Sequence, residues 1–405
     1  MASVAHVAGP RISPPRTSSA LAGAGPQVDE STGGRDRFLD LVRVVAILRV
    51  LVIHGAATTG SLWWPLPSWI LPGMPLVFFT AGALAAPSVR RHGAAGFHHD
   101  RLRRLLVPYW VLLATGLVVL AFGALWWGGD AWTLRPLRMV DSLVPVVQPR
   151  LAPALTDLGS HLWFASTFVV LLVLAPALVE LHRRRPLAPA LLCVVAFAAL
   201  NAVDRLWTPV TIEVLYVPMY GIFLCAGFGY ADGTLLRRSD RSPSGPRPWL
   251  RPATAGLVLL VAVTGGWTAF ARGTRDLNHD LVGHTCVAAG WLVAVLALQP
   301  QLRALGERAA PVLDRITPRT LTLYLWSAPA GVLAWRLAER STGSADPVAV
   351  YVLATVLLTG GALAVFGRIE DRTAGRNRPV PAAAGAAPGG RLLEPAAVPT
   401  VVDLR

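Results

Sequence analysis

Between residues 37 and 54 the chain reads Arg37-Phe-Leu-Asp40-Leu-Val-Arg43-Val-Val-Ala46-Ile-Leu-Arg49-Val-Leu-Val-Ile-His54, an apolar run interrupted by ionisable groups. Such groups are expensive inside a membrane helix and mark sites or pairs. In a helix, eleven residues carry His54 ~20° past three full turns and ~16 Å along the axis from Arg43, so the two share a face. Asp40 lies three residues before Arg43, on nearly that face. Two readings stand. In the first, Arg43 holds an anionic group and His54 is a general base. In the second, Arg43 snorkels and pairs with Asp40, and His54 is an interfacial side chain satisfied by backbone or water.

A second cluster, His98-His99-Asp100-Arg101-Leu-Arg103-Arg104-Leu-Leu-Val-Pro108-Tyr109-Trp110, leads into another apolar run. Arg101 and Arg104, stacked at i and i+3, suit a bidentate phosphate clamp; arginines at a span end are equally a topology anchor. The polar groups Asp157, His161, Asp204, Glu213, Asp276, His279, Asp280 and His284 read mostly as helix caps or solvated loop residues, with a minority touching an acceptor. Tyr324, Trp326, Ser327, Trp335 and Arg336 read as packing groups. The motifs G-x-S-x-G, H-E-x-x-H, the P-loop and G-x-G-x-x-G are absent, which removes the main support for zinc hydrolases and nucleotide motors. Cys193, Cys225 and Cys286 sit in apolar runs without C-x-x-C spacing, so neither a disulfide frame nor a metal site is expected.

The elements that must position these groups are membrane helices. The 405 residues are 54% hydrophobic and 15% charged, well short of the ~25% charge of soluble domains, and several apolar runs reach the ~18 residues that cross a bilayer core. Spans are predicted at about 38–57, 69–87, 105–127, 161–181, 187–203, 212–231, 252–271, 281–299, 319–339 and 346–367, giving an all-α polytopic bundle of about ten helices. The fifth is short and ends in Asn201 and Asp204; without it everything downstream would reverse. The basic residues are all arginines, and placing the N-terminus inside puts 27 of the 37 on the inner side and 7 on the outer, as cytoplasmic loops require. Both termini are then cytoplasmic. Trp63, Trp64, Trp69, Trp126, Trp127, Trp132, Trp163, Trp207 and Trp267 fall at the outer boundary, as interfacial belts do. The net charge of +14 is thereby absorbed as topology signal, and no nucleic-acid partner is expected. Residues 1–36 and 373–405, rich in Pro, Gly and Ala, read as disordered cytoplasmic tails around a membrane domain at 37–372. The outer connection at 128–160, with Pro136, Pro145, Pro149 and Pro153, reads as a substrate-facing cap. No internal repeat is evident, which disfavours inverted-repeat transporters.

Together these residues resemble the membrane-bound acyltransferase 3 family of bacterial O-acyltransferases. Leu39-Asp40-Leu-Val-Arg43-Val-Val-Ala46-Ile-Leu48 followed by His54 is similar to its opening signature, and Pro75-Leu-Val-Phe78-Phe79-Thr-Ala-Gly82 to its F-F-x-x-S-G segment. The R-x-x-R of Arg101 and Arg104 before Pro108-Tyr109 follows, then His161-Leu-Trp163-Phe164. Ile369-Glu370-Asp371-Arg372 resembles the closing I-E-x-P without its proline, and Tyr324-Leu-Trp-Ser327 departs from Y-L-x-H by lacking the histidine. The resemblance implies acyl transfer from acyl-CoA, bound as co-substrate with no resident cofactor, to a hydroxyl of a glycan or small molecule. It assigns His54 as base, Arg43, Arg101 and Arg104 as donor ligands, and Asp40, Tyr109, His161 and Glu370 as supporting residues. It further implies a multi-pass protein in the lipid of a bacterial plasma membrane. The rival is a transporter or flippase using Asp40, Arg43 and His54 as an ion or proton relay, and a third reading is a non-catalytic sensor or scaffold.

Overall fold

The computed structural model describes residues 35–58, 66–126, 128–130, 142–148, 152–155, 159–235, 252–340 and 347–373, with the side chains at 53–58, 66–67, 154, 160 and 347 excepted. The described residues from Arg37 onward belong to one compact unit. Apart from Arg35, Asp36 and Thr373, the two expected tails lie outside the described residues.

The apolar runs are helices, and no strand occurs among the described residues. In chain order they are α1 (Arg37–Thr58), α2 (Leu66–Trp69), α3 (Gly73–Trp126), α4 (Trp163–Arg184), α5 (Ala188–Leu206) and α6 (Ile212–Ala231). Then come α7 (Pro252–Ala271), α8 (Leu281–Ala297), α9 (Gln299–Arg308), α10 (Ala310–Ile316), α11 (Thr320–Arg340) and α12 (Pro347–Thr373). Helix α3, with 54 residues, would extend ~80 Å if straight, far more than a ~30 Å bilayer core. It breaks at Gly93, whose φ of 68° and ψ of 178° suit a residue without Cβ, into arms at 73–92 and 94–126. The connection expected between the second and third spans is thus itself helical up to the glycine.

Helices stand at each of the ten expected spans, yet by length and composition six qualify as crossings: α3, α4, α5, α6, α7 and α12. A seventh appears if α8 and α9, bent by 69° at their junction, are taken together. The short fifth span is among those that qualify, as α5. Helix α1 is not among these six.

At the centre, the first arm of α3 crosses α6 backbone to backbone. A Cβ on Gly82 would stand 2.0 Å from the Leu224 carbonyl oxygen, and one on Gly227 2.2 Å from that of Phe79. Small residues permit this approach, and dispersion across the contact replaces the hydrophobic drive that lipid does not supply. Around it Phe78 stacks on Tyr220 at 4.7 Å, and Trp163 packs on Tyr216 at 4.5 Å.

In its described portions the connection at 128–160 is tied to the second arm of α3. Tyr109 donates to the Ser142 carbonyl at 2.6 Å, and Trp110 to that of Leu143 at 2.7 Å. Tyr109 lies seventeen residues before the end of α3, so the chain has descended ~25 Å along the helix. Irregular backbone at that depth survives because side-chain donors satisfy it.

On the opposite side, His182 of α4 meets Asp232, just beyond α6, at 2.7 Å, and Asp232 also accepts from Thr234 N and Oγ1. Burial pushes the Asp232 carboxyl up, but the hydrogen bonds from His182 and Thr234 outweigh it and leave the group below its ordinary value. A depressed carboxylate stabilises the fold above its unfolded pKa and loses that contribution as pH falls through its folded one. Asp232→Asn is therefore expected to lose about 1.5 kcal/mol near neutral pH. Denaturant titrations should show the gap to wild type closing below about pH 4; a gap independent of pH would rule out the ionised Asp232 carboxylate as its source.

Candidate functional site

Arg43 and Ile47 of α1 lie one turn apart and line a cavity of about 180 Å³. Val77, Ala81 and Ala85, at four-residue intervals on the first arm of α3, form a second wall, and Phe164, Phe168 and Leu172 do the same from α4. The second arm of α3 brings Arg101 and Arg104, the turn before α11 brings Thr317 and Pro318, and α11 opens with Thr320. Glu370 of α12 completes the polar end. Residues from five helices, hundreds of positions apart, thus meet at one cavity.

Its electrostatics are dominated by like charges. Arg101 feels both Arg43 and Arg104 as repelling neighbours. It is steadied by a 3.3 Å hydrogen bond to the Leu84 carbonyl and by the Phe97 ring, 6.0 Å from its guanidinium carbon. Cations held together in a partly buried space favour an anionic occupant. Glu370 supplies one negative charge and is itself held: its Oε2 accepts from Thr322 N at 2.9 Å and Thr322 Oγ1 at 2.7 Å. A carboxylate at the first turn of α11 is favoured by the helix dipole. Next to it, Arg319 is engaged by Asp371 at 2.9 Å, and it does not line the cavity.

The other residues singled out in the sequence fall elsewhere. Asp40 is buried at the start of α1, 3.9 Å from Arg37, which makes its shorter contacts with Asp314 at 2.6 and 3.2 Å. Tyr109 lines a separate apolar cavity of about 140 Å³ with Leu113, Leu155, Trp326 and Pro329. His161 is fully buried, and its Nε2 pairs with the Leu325 carbonyl at 3.0 Å. The reason is local. Pro329 has no N–H to offer the carbonyl four residues before it, and the histidine ring N–H takes that place. Tyr324, which lines the arginine cavity, donates to the His161 carbonyl, so His161 fixes that wall from behind.

Helix α1 continues unbroken through position 54, so the spacing of Arg43 and His54 is realised as helix. Position 54 lies seven residues, roughly 10 Å, beyond Ile47, on the face that buries Ala46, Ile47 and Val50. The His54 side chain itself is outside the described residues. Arg49, on the same helix, reaches the Ser68 and Ile70 carbonyls at 3.4 Å. Thr317, a wall residue, has no local sequence signal beyond a Thr-Pro turn.

The sequence matches the model of one protein family, acyltransferase 3, described as an acyltransferase domain, over residues 36–367. Arg43, His54, Arg101, Arg104 and Thr317 fall inside the match, and Glu370 lies three residues past its end. No curated protein and no solved structure matches the chain.

Proposed function

Since the chain belongs to the acyltransferase 3 family, we propose that it is an integral-membrane O-acyltransferase moving an acyl group from acyl-CoA to a hydroxyl of a sugar, glycan or hydroxylated metabolite. The observation that supports this reading is the meeting of Arg43, Arg101 and Arg104 at one cavity, to which α1 contributes Arg43 and Ile47. Phosphates of the donor occupy the arginine end, where bidentate guanidinium contacts suit them. The thioester arm follows Ile47 and the α1 face for the remaining ~10 Å. There His54 takes the proton of the acceptor hydroxyl as its oxygen attacks the thioester carbonyl. Collapse of the tetrahedral intermediate breaks the carbon–sulfur bond, and the thiolate leaves and is protonated. On this reading the bundle has ten spans with both termini in the cytoplasm, in a bacterial plasma membrane.

The test is release of free thiol from acetyl-CoA by the purified full chain, with a panel of sugars and hydroxylated metabolites as acceptors. Release should depend on an acceptor, and Arg101→Ala should raise the KM for acetyl-CoA by about 10- to 100-fold, the worth of a charge-assisted contact. Arg101→Ala with an unchanged KM would remove the cavity from the donor path. Substrate movement that follows a proton gradient without any donor would replace acyl transfer with transport.

A further inference from the structure

Thr317 opens the short 3-10 turn Thr317–Arg319 that joins α10 to α11. Its backbone is fully used: the N–H donates to the Leu313 carbonyl, and its own carbonyl accepts from Thr320 Oγ1 at 3.2 Å. Its hydroxyl is not. Thr317 is only 4% exposed, Oγ1 has no hydrogen-bond partner, and the residue lines the arginine cavity. A buried hydroxyl without a partner destabilises a fold, and an apolar side chain of the same shape would avoid that penalty. The position therefore makes sense if something in the cavity receives the hydrogen bond.

The neighbours narrow what that is. The N–H groups of Leu321 and Thr322, which would otherwise greet an anion at the start of α11, already serve Glu370. Pro318 has no N–H, and Arg319 is turned to Asp371. On this side of the cavity Thr317 thus keeps an unused donor, on a residue that lines the same space as Arg43, Arg101 and Arg104. An O–H beside several guanidiniums matches a tetrahedral anion, whose oxygens take donors from several directions.

We propose that Thr317 Oγ1 donates to a phosphate oxygen of the acyl donor, making Thr317 a donor-binding residue specific for a phosphorylated carrier. This rests on the acyl-CoA reading above. Bound, the hydroxyl completes a phosphate cradle drawn from α1, α3 and the α10–α11 turn. Empty, it remains a cost to the fold.

The experiment titrates coenzyme A into the full chain in detergent by calorimetry and measures acetyl-CoA turnover, for wild type, Thr317→Val and Thr317→Ser. Valine should weaken coenzyme A binding and raise KM about tenfold with little change in kcat, while serine stays within about twofold of wild type. The thermal midpoint of the unliganded valine variant should be equal to or above that of wild type, the opposite sign from a structural hydrogen bond. Binding unchanged in Thr317→Val, or a lowered midpoint with equal losses in both variants, would overturn the role of Thr317 and leave the donor reading intact. Failure of wild type to bind coenzyme A at all would overturn the donor reading, and this inference with it.

Discussion

His54→Ala is expected to lower acceptor-dependent thiol release by about 10²- to 10⁴-fold, the usual contribution of a general base. Expression, membrane insertion and coenzyme A affinity should be unchanged, because the proposed phosphate ligands Arg43, Arg101 and Arg104 all remain in place. The expectation draws on α1 being continuous from Arg37 to Thr58, which puts position 54 on the face that already buries Ala46, Ile47 and Val50. His54→Gln separates the roles of the ring: it keeps a polar side chain of similar reach but cannot carry the proton, so it should fail as alanine does. Full activity in either variant would exclude His54 as the base. Loss of coenzyme A binding alongside activity would instead make it a donor ligand.

The second large effect concerns assembly. A methyl on Gly227 would lie 2.2 Å from the Phe79 carbonyl oxygen and 2.5 Å from Ala83 N, both backbone atoms that move only with their helix. Gly227→Ala should therefore cost more than the ~1–3 kcal/mol typical of overpacking, and Gly227→Leu should abolish the monodisperse protein in detergent. Gly361→Ala is the control. It has no neighbour within 4 Å and gains helix propensity, so its thermal midpoint should hold or rise. Equal midpoints for Gly227→Ala and Gly361→Ala would mean that α3 and α6 separate freely, and that the crossing is not what anchors the first arm of α3.

Much of the architecture was legible because a membrane helix announces itself by apolar length, and α3 to α7 and α12 carry that signal clearly. The signal weakens where the site lies. Helix α1 drew attention through the charges in its apolar run, Asp40, Arg43 and Arg49, and of these it is Arg43 that lines the cavity. The arginines were readable as types and spacings, but their meeting with Glu370 depends on helix packing, which no local pattern encodes. Tyr109 and His161 show the converse. Both stood out in motifs, yet Tyr109 satisfies a carbonyl of the descending connection, and His161 answers the carbonyl that Pro329 orphans 164 residues downstream. That descent was hidden because prolines and small residues look alike in a loop that stays at a helix end and in one that runs back along the helix. Thr317 was invisible for a plainer reason: its distinction is a missing hydrogen bond, which exists only in three dimensions.

The two ends of the arginine cavity also differ in age. Arg43 leaves the ribosome 327 residues before Glu370, an interval of roughly 15 to 65 s at ~5–20 residues per second. Until α12 arrives, the first turn of α11 lacks its carboxylate and Arg319 lacks Asp371. Closure of the polar end of the cavity thus waits for α12.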